Sequence, residues 1–527
     1  RRDGIVGREG DSDGSNSAIA GGTGPDASAE PGIWRYAIAD RLAVVIDGED
    51  YFALVHTAMY NARDQIVLIG WDFDTRISLR RGEEWDNGDA DRPARLGDYL
   101  PWLVKEHTDL DIRILKWGLS WVQFLKRGRM AYDIARMWMV DGISFRFDSH
   151  HPTGCSHHQK IAVFDRKLAV CGGIDLTYDR WDTREHLEDD PRRLNWPGST
   201  HGPWHDITLM MEGPVAGALH DLCNTRWQVA GGEPLARPAD NIRSPWPKPL
   251  KAGFEDVEVG LARTRAECGD VTEVNEIETL FLAHIARAKR FIYIENQYFT
   301  SRKIAEAIAL RLSGENPPEI VIIHPKHADG WVEQQAMDHA RDLVAEAVEA
   351  ADGDEFFEIY VPYTGETPIY VHAKLMIVDD EVVRIGSANL NNRSMALDSE
   401  CDVILDANRP HNTGRGLEDE IRSIRVSLLA EHCGVAEDVM AQALERHGTM
   451  QGAIGELGLE GSRRLVPYRP PEKNGVTRYL AESAMLDPER PDDLLRPFAR
   501  GGLFRKGGLL ARLRDRVKRK VKGRLKR

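Results

Sequence analysis

Two short stretches of this chain carry the same reactive side chains at the same spacing. His158, Lys160 and Asp165 form a His-x-Lys-x4-Asp pattern, and His372, Lys374 and Asp379 form it again. In each copy six further residues lead to a small-residue pair, Gly172-Gly173 or Gly386-Ser387, followed two residues on by Asp175 or Asn389. The apolar runs between Lys and Asp, 161–164 and 375–378, read as buried strands. Alternation along a strand puts a His and a Lys two residues apart on one face. An imidazole, with an ordinary pKa of about 6.5, is a nucleophile when neutral and a proton donor when charged. Two imidazoles of opposite protonation, each beside an ammonium, need no metal to act on an anionic group, and neither a metal nor a cofactor is expected. Asp165 and Asp379 fall an odd number of strand steps after the histidines. The pleat turns them to the opposite face, which assigns them a structural role.

Helices alternating with short β-rich runs must position these motifs. Before the first, helical stretches over 51–62, 96–106 and 123–140 alternate with apolar runs over 65–70, 111–117 and 144–147. Before the second, helices over 275–288, 303–312 and 331–350 alternate with runs over 290–294, 319–323 and 356–361. This order predicts an internally duplicated α/β fold: two mixed β-sheet repeats flanked by helices, with one site at their interface. The expected divisions begin with a disordered segment over 1–31, a first repeat over 32–230 and a Pro-rich connection over 231–262. A second repeat over 263–434, a helical or irregular extension over 435–500 and a basic tail over 501–527 complete them. After Glu400 the chain is expected to turn helical.

The 527 residues are ample for a large core, and 42% apolar with 29% charged residues is ordinary for a soluble globular chain. No apolar run approaches the roughly 20 residues of a membrane-spanning helix. Six scattered cysteines without a CxxC pair argue against a disulfide framework and favour a reducing compartment. The net charge of −15 is uneven: residues 501–527 hold twelve Lys/Arg and one acid, so the remainder sums to −26. So acidic a body disfavours nucleic acid as a partner.

With both motifs in hand, the chain resembles the phospholipase D superfamily, defined by paired His-Lys-Asp motifs, and most closely its eukaryotic-type members. Four further passages carry that likeness: HHQK at 157–160, GGIDLTYDRWD at 172–182, PWHD at 203–206 and IYIENQYF at 292–299. It spans roughly 35–434, and the lipid-binding domains that precede the core in those relatives are not expected here. The resemblance implies the phospholipase D fold and phosphodiester cleavage through a phosphohistidine, with His158 as nucleophile and His372 as general acid and base. The residues alone leave those two roles interchangeable. Lys160, Lys374, Asn389 and the Gly173/Asp175 turn are expected to clamp phosphoryl oxygens.

A histidine in such a role usually has a carboxylate on its other nitrogen. Glu400 and Asp206 are the expected orienters, with their pairing left open. Ser387, Asn296 and Gln297 are expected to line the pocket, and Trp181, Trp196 and Trp204, which flank the first motif, to form an aromatic wall for a quaternary ammonium. His157 points to the other strand face, and His151, His186, His201 and His205 lack metal-ligand spacing. In the tail, Leu509, Leu513, Val517, Val521 and Leu525 recur every four positions among Arg and Lys, the pattern of a basic helix lying on an anionic membrane. The expected protein is a phospholipase D acting on phosphatidylcholine or phosphatidylethanolamine, with a cardiolipin-synthase-like transferase or a nuclease as alternatives. It is expected to be a monomer at the cytoplasmic membrane surface, or else secreted without a classical leader.

Overall fold

The computed structural model describes residues 30–81, 92–118, 128–195, 198–327 and 355–469, with part of 340–348. The N-terminal segment expected to be disordered, the basic tail, Trp196 and most of the helix expected over 331–350 lie outside the described residues.

The first half begins with β1 (Arg35–Ile46), α1 (Gly48–Asn61), β2 (Gln65–Gly70), α2 (Leu96–Glu106) and β3 (Asp111–Trp117). It continues through α3 (Arg129–Met137), β4 (Ile143–Asp148), the hairpin β5 (Ile161–Phe164) and β6 (Leu168–Gly172), β7 (Ile207–Glu212) and α4 (Pro214–Val229). The second half repeats this order with β8 (Phe254–Arg265), α5 (Glu276–Arg287), β9 (Phe291–Asn296), α6 (Arg302–Leu312), β10 (Glu319–Ile323) and β11 (Phe357–Thr364). The hairpin β12 (Lys374–Val378) and β13 (Val382–Gly386), the short α7 (Asn392–Ala396) and β14 (Glu400–Asp406) follow. The described chain ends with α8 (Leu417–Cys433), α9 (Glu437–His447), α10 (Met450–Leu457) and β15 (Arg463–Pro467).

β2, β3 and β4 run parallel, which requires crossover helices, and α2 and α3 supply them. β5 pairs antiparallel with β2, β6 with β5, and β7 with β6. β9, β10 and β11 repeat the parallel set, and β12, β13 and β14 the antiparallel one. Even the register repeats: Ile66 lies opposite Phe164, and Ile292 opposite Val378. The motif strands are buried throughout, as expected of unbroken apolar runs in a sheet covered on both faces.

The two half-sheets are joined edge to edge. β1 pairs with β7 on one side and β8 on the other, and β8 pairs with β14. One sheet therefore crosses the whole molecule, with a pseudo-twofold axis between β1 and β8. Sequence periodicity missed both of these strands because charged residues interrupt their alternation; the start of β8 lies within the stretch read as the Pro-rich connection. β14 likewise corrects the expectation that the chain turns helical at Glu400. β15, in a stretch without a sequence signal, pairs with the outer strand β11.

Candidate active site

Neither histidine stands on a regular strand. His158 precedes β5 and His372 precedes β12, each held by the opposite half. The His158 N–H donates to the Ser399 carbonyl at 2.9 Å, and residues 157 and 399 form a parallel bridge. The His372 N–H donates to the His205 carbonyl at 2.7 Å, and Tyr370-Val371 pairs in parallel with Trp204-His205. Each segment ends beside a carboxylate at the mouth of the partner half's strand. Glu400 lies 3.1 Å from His158 Nδ1, and Asp206 lies 2.6 Å from His372 Nδ1. The orienters therefore cross: each half supplies the acid for the other half's base. The sequence had left that pairing open.

Both Nδ1 atoms face acceptors, so both carry the proton and present Nε2 lone pairs. For His158 this tautomer is fixed twice, since the Ser387 carbonyl also lies 3.0 Å from Nδ1. Glu400 is held in turn by the hydroxyls of Ser387, at 2.5 Å, and Ser394, at 2.7 Å. The lysines curl back so that each Nζ donates to its own motif's histidine carbonyl. Lys160 is paired with Asp175 at 3.0 Å, whereas the second contact of Lys374 is the neutral amide oxygen of Gln297 at 3.2 Å.

Burial dominates the electrostatics. It holds both histidines well below their ordinary value, reinforced for His158 by the two lysines and for His372 by Lys374 and Arg180. It lowers Lys374 to about 7 against the pull of Asp206, and raises Glu400 to about 8 and Asp206 to about 6. Although His158 and Glu400 sit at ion-pair distance, these directions agree that the pair is not a permanent ion pair. A buried cluster of cations with neutral imidazoles favours an anionic ligand.

Several expected site residues have other tasks. Gly173 donates its N–H to the Ile207 carbonyl, so that amide is not free for a phosphoryl oxygen. A Cβ there would lie 2.0 Å from Asp206 Oδ1; the glycine lets that carboxylate lie against the backbone. Asp175 cannot clamp an anion and instead anchors Lys160, while accepting the Trp71 N–H at 3.1 Å. The Ser387 hydroxyl is turned to Glu400, not to a pocket. Asn296 accepts the Tyr298 and Leu390 N–H groups on its side-chain oxygen. Trp181 is 2% exposed, within the first half's core, with the guanidinium groups of Arg81 and Arg192 over its ring. It cannot be the aromatic wall. Gln297 does reach the site, through Lys374 and the Tyr370 hydroxyl, and the Asn389 side-chain oxygen is buried without a hydrogen bond.

Asp165 and Asp379 each begin a hairpin turn at positive φ, a conformation Asp tolerates better than most residues. Asp165 accepts the N–H groups of Arg63, Asp64 and Gln65, and Asp379 those of Lys289, Arg290 and Phe291. Each thus secures the start of the neighbouring strand, β2 or β9. His157 is buried between Ser399 and Asp148.

The sequence reading missed four groups. Trp71 meets the His158 ring edge-on at 6.2 Å. Tyr370 stacks at 4.5 Å on Trp204, one of the tryptophans expected to form the aromatic wall, which itself lies 5.1 Å from His372. Arg180 lies over Trp204 at 4.1 Å with its Nε unbonded, a third cation beside the histidines. Its place inside DRWD, next to the first motif, was the available signal. Ser394, which supports Glu400, had none.

Comparison with known proteins agrees with this geometry. A family model described as phospholipase D matches residues 358–451, which include the second motif. Phospholipase D alpha 1 of Zea mays is 27% identical over 75% of this chain, and phospholipase D alpha 2 of Arabidopsis thaliana is 26% identical over 73%. This chain spans about 65% of the length of the curated relatives it matches. Among solved structures, the phosphatidylserine synthase of Haemophilus influenzae aligns over 74% of this chain and 86% of its own, at 14% identity and a TM-score of 0.46. The family model and the curated relatives make the chain similar to phospholipases D, eukaryotic ones among them, in line with the paired motifs.

Proposed function

We propose that this protein is a phosphodiesterase of the phospholipase D type that hydrolyses a glycerophospholipid to phosphatidic acid and a free head group. The observation that carries the reading is the crossed pair of carboxylate-held histidines with a lysine beside each.

His158 is the nucleophile. Its Nδ1–H is fixed by the Ser387 carbonyl and Glu400, and its side chain is 14% exposed against 6% for His372. Its Nε2 lone pair attacks phosphorus, and the bond from phosphorus to the head-group oxygen breaks. His372, which takes up a proton at Nε2 as the anionic phosphodiester binds, passes it to the departing oxygen. A water then gives a proton to His372 and attacks phosphorus, and the His158–phosphorus bond breaks, restoring both imidazoles. Lys160, Lys374, Arg180 and the Asn389 amide surround the charged oxygens. A primary alcohol in place of water gives transphosphatidylation. Trp71, Trp204 and Tyr370 are aromatic faces suited to a choline head group.

The test is product analysis on mixed phospholipid vesicles with and without ethanol. Phosphatidic acid, joined by phosphatidylethanol when ethanol is present and lost in both His158→Ala and His372→Ala, supports the reading. Cardiolipin as the main product assigns a transferase instead, and nuclease activity without lipid turnover refutes the substrate class.

A further inference from the structure

Behind the His372–Asp206 pair lies a second group of ionisable side chains that the chemistry above does not use. Asp47, His186, His205 and Glu431 each offer one ligand atom, all within 4.8 Å of one another, and all four residues are buried. His186 Nε2 lies 3.1 Å from Glu431 Oε1 and 3.4 Å from Asp47 Oδ2, and His205 Nδ1 lies 2.9 Å from Glu431 Oε1. Four ligands at about 2.0–2.1 Å around a tetrahedral ion stand about 3.3 Å apart, which is close to this spacing.

The outer nitrogens of both histidines are also engaged. His186 Nδ1 faces Asp182 at 3.0 Å, and His205 Nε2 faces Glu295 at 2.8 Å. A carboxylate on the far nitrogen is the usual support of a metal-bound histidine, because it fixes the tautomer and leaves the inner nitrogen as a lone pair. One inner atom, Asp47 Oδ2, makes no hydrogen bond though Asp47 is 1% exposed, and the fully buried His205 Nδ1 lies between Glu431 Oε1 at 2.9 Å and Asp47 Oδ1 at 3.0 Å. Asp47 precedes α1 at a position where an aspartate commonly caps the helix. It does not cap, and its carboxylate is turned into the cluster. Charge tells the same story. Asp47, Asp182, Glu295 and Glu431 face two guanidinium groups, those of Arg184 and Arg193. Without an ion the carboxylates hold both imidazoles in the protonated form, and a single dication in the cluster takes the place of those two protons.

We propose that Asp47, His186, His205 and Glu431 bind a divalent transition-metal ion of the zinc class in a closed, structural site. Two imidazoles favour this class over calcium or magnesium, and full burial excludes substrate. The ion joins α8, through Glu431, to the back of the active site. Asp47 Oδ1 accepts the Asp206 N–H at 3.1 Å, and the His205 carbonyl accepts that of His372. The ion therefore braces the general acid without touching the substrate. This site is independent of the lipid reading and stands or falls separately.

The test is metal analysis of the full chain, produced in zinc-supplemented medium and passed through gel filtration. About one zinc per chain is expected, as is a Tm that falls under a strong chelator and recovers on adding zinc alone. A cobalt-substituted sample should show the visible absorption of a tetrahedral ion. His186→Gln, if folded by circular dichroism, should lose at least about tenfold of the bound zinc, within the range for removing a ligand or its support. Wild-type protein with under about a tenth of an equivalent of any transition metal, and a Tm indifferent to chelator and zinc, overturns the proposal. So does a folded His186→Gln variant that keeps its zinc.

Discussion

In the proposed mechanism, Glu400 is the residue on which the nucleophile's chemistry turns. Burial raises its carboxyl from 4.5 to about 8. The folded protein therefore retains a proton that the unfolded chain has lost from about pH 4.5 upward. Stability conferred by this group is complete below pH 4.5 and is lost as pH rises through about 8. Glu400→Gln should flatten that slope, measured as Tm against pH between 5 and 9. The same ionisation puts a full negative charge behind His158 Nδ1, so hydrolysis should rise with pH through about 8. In Glu400→Gln the rate should be lower by about 10²-fold and the alkaline rise absent, read from kcat/KM against pH. A wild-type profile flat from pH 6 to 9 counts against Glu400 as the partner of the nucleophile. Asp165 behaves differently. Asp165→Ala leaves three N–H groups at the start of β2 without their acceptor, and should cost about 2–4 kcal/mol in urea denaturation. Both histidines and both lysines were legible in the sequence from spacing alone. It misplaced Ser387, Asp175 and Asn296 because a polar residue beside a motif has the same signature whether it faces substrate or supports a neighbour.

At the scale of elements, catalytic geometry rests on close backbone approaches between the halves. Gly173→Ala would push a methyl group into the Asp206 carboxylate and shift the partner of His372. Activity should fall by about 10²-fold, as when an aligned group is displaced by an ångström. Gly202→Ala, where a Cβ meets nothing within 4 Å, is the matched control and should leave kcat unchanged. Equal effects of the two would contradict the close-approach argument. The parallel strands and their crossover helices were legible because long apolar runs and helical periods are local signals. β1 and β8 were not legible. Their stability comes from pairing with strands far away in the chain, and β1 places Arg35, Asp40 and Arg41 among its apolar positions.

At the scale of the molecule, one sheet and two crossed acid–base pairs make the halves a single cooperative body. Twelve of the thirteen tryptophans precede residue 250, so their fluorescence reports the first half, while far-ultraviolet circular dichroism reports both. The two denaturation curves should coincide; separated midpoints would show halves that unfold independently. No described helix is long and apolar enough to cross a membrane. The basic pattern of residues 509–525 suits peripheral contact with anionic lipid, each basic residue adding about 1 kcal/mol near such a surface. Removing 505–527 should weaken binding to anionic vesicles while sparing hydrolysis of a soluble short-chain lipid. Unchanged vesicle binding would refute the membrane contact expected from the sequence.

The most direct measurement is mass spectrometry of the full chain quenched during turnover of a phospholipid. A phosphatidyl adduct on the peptide bearing His158, accumulating in His372→Ala and absent from His158→Ala, is the result this mechanism predicts. Turnover without any adduct, or an adduct on His372 instead, would contradict it.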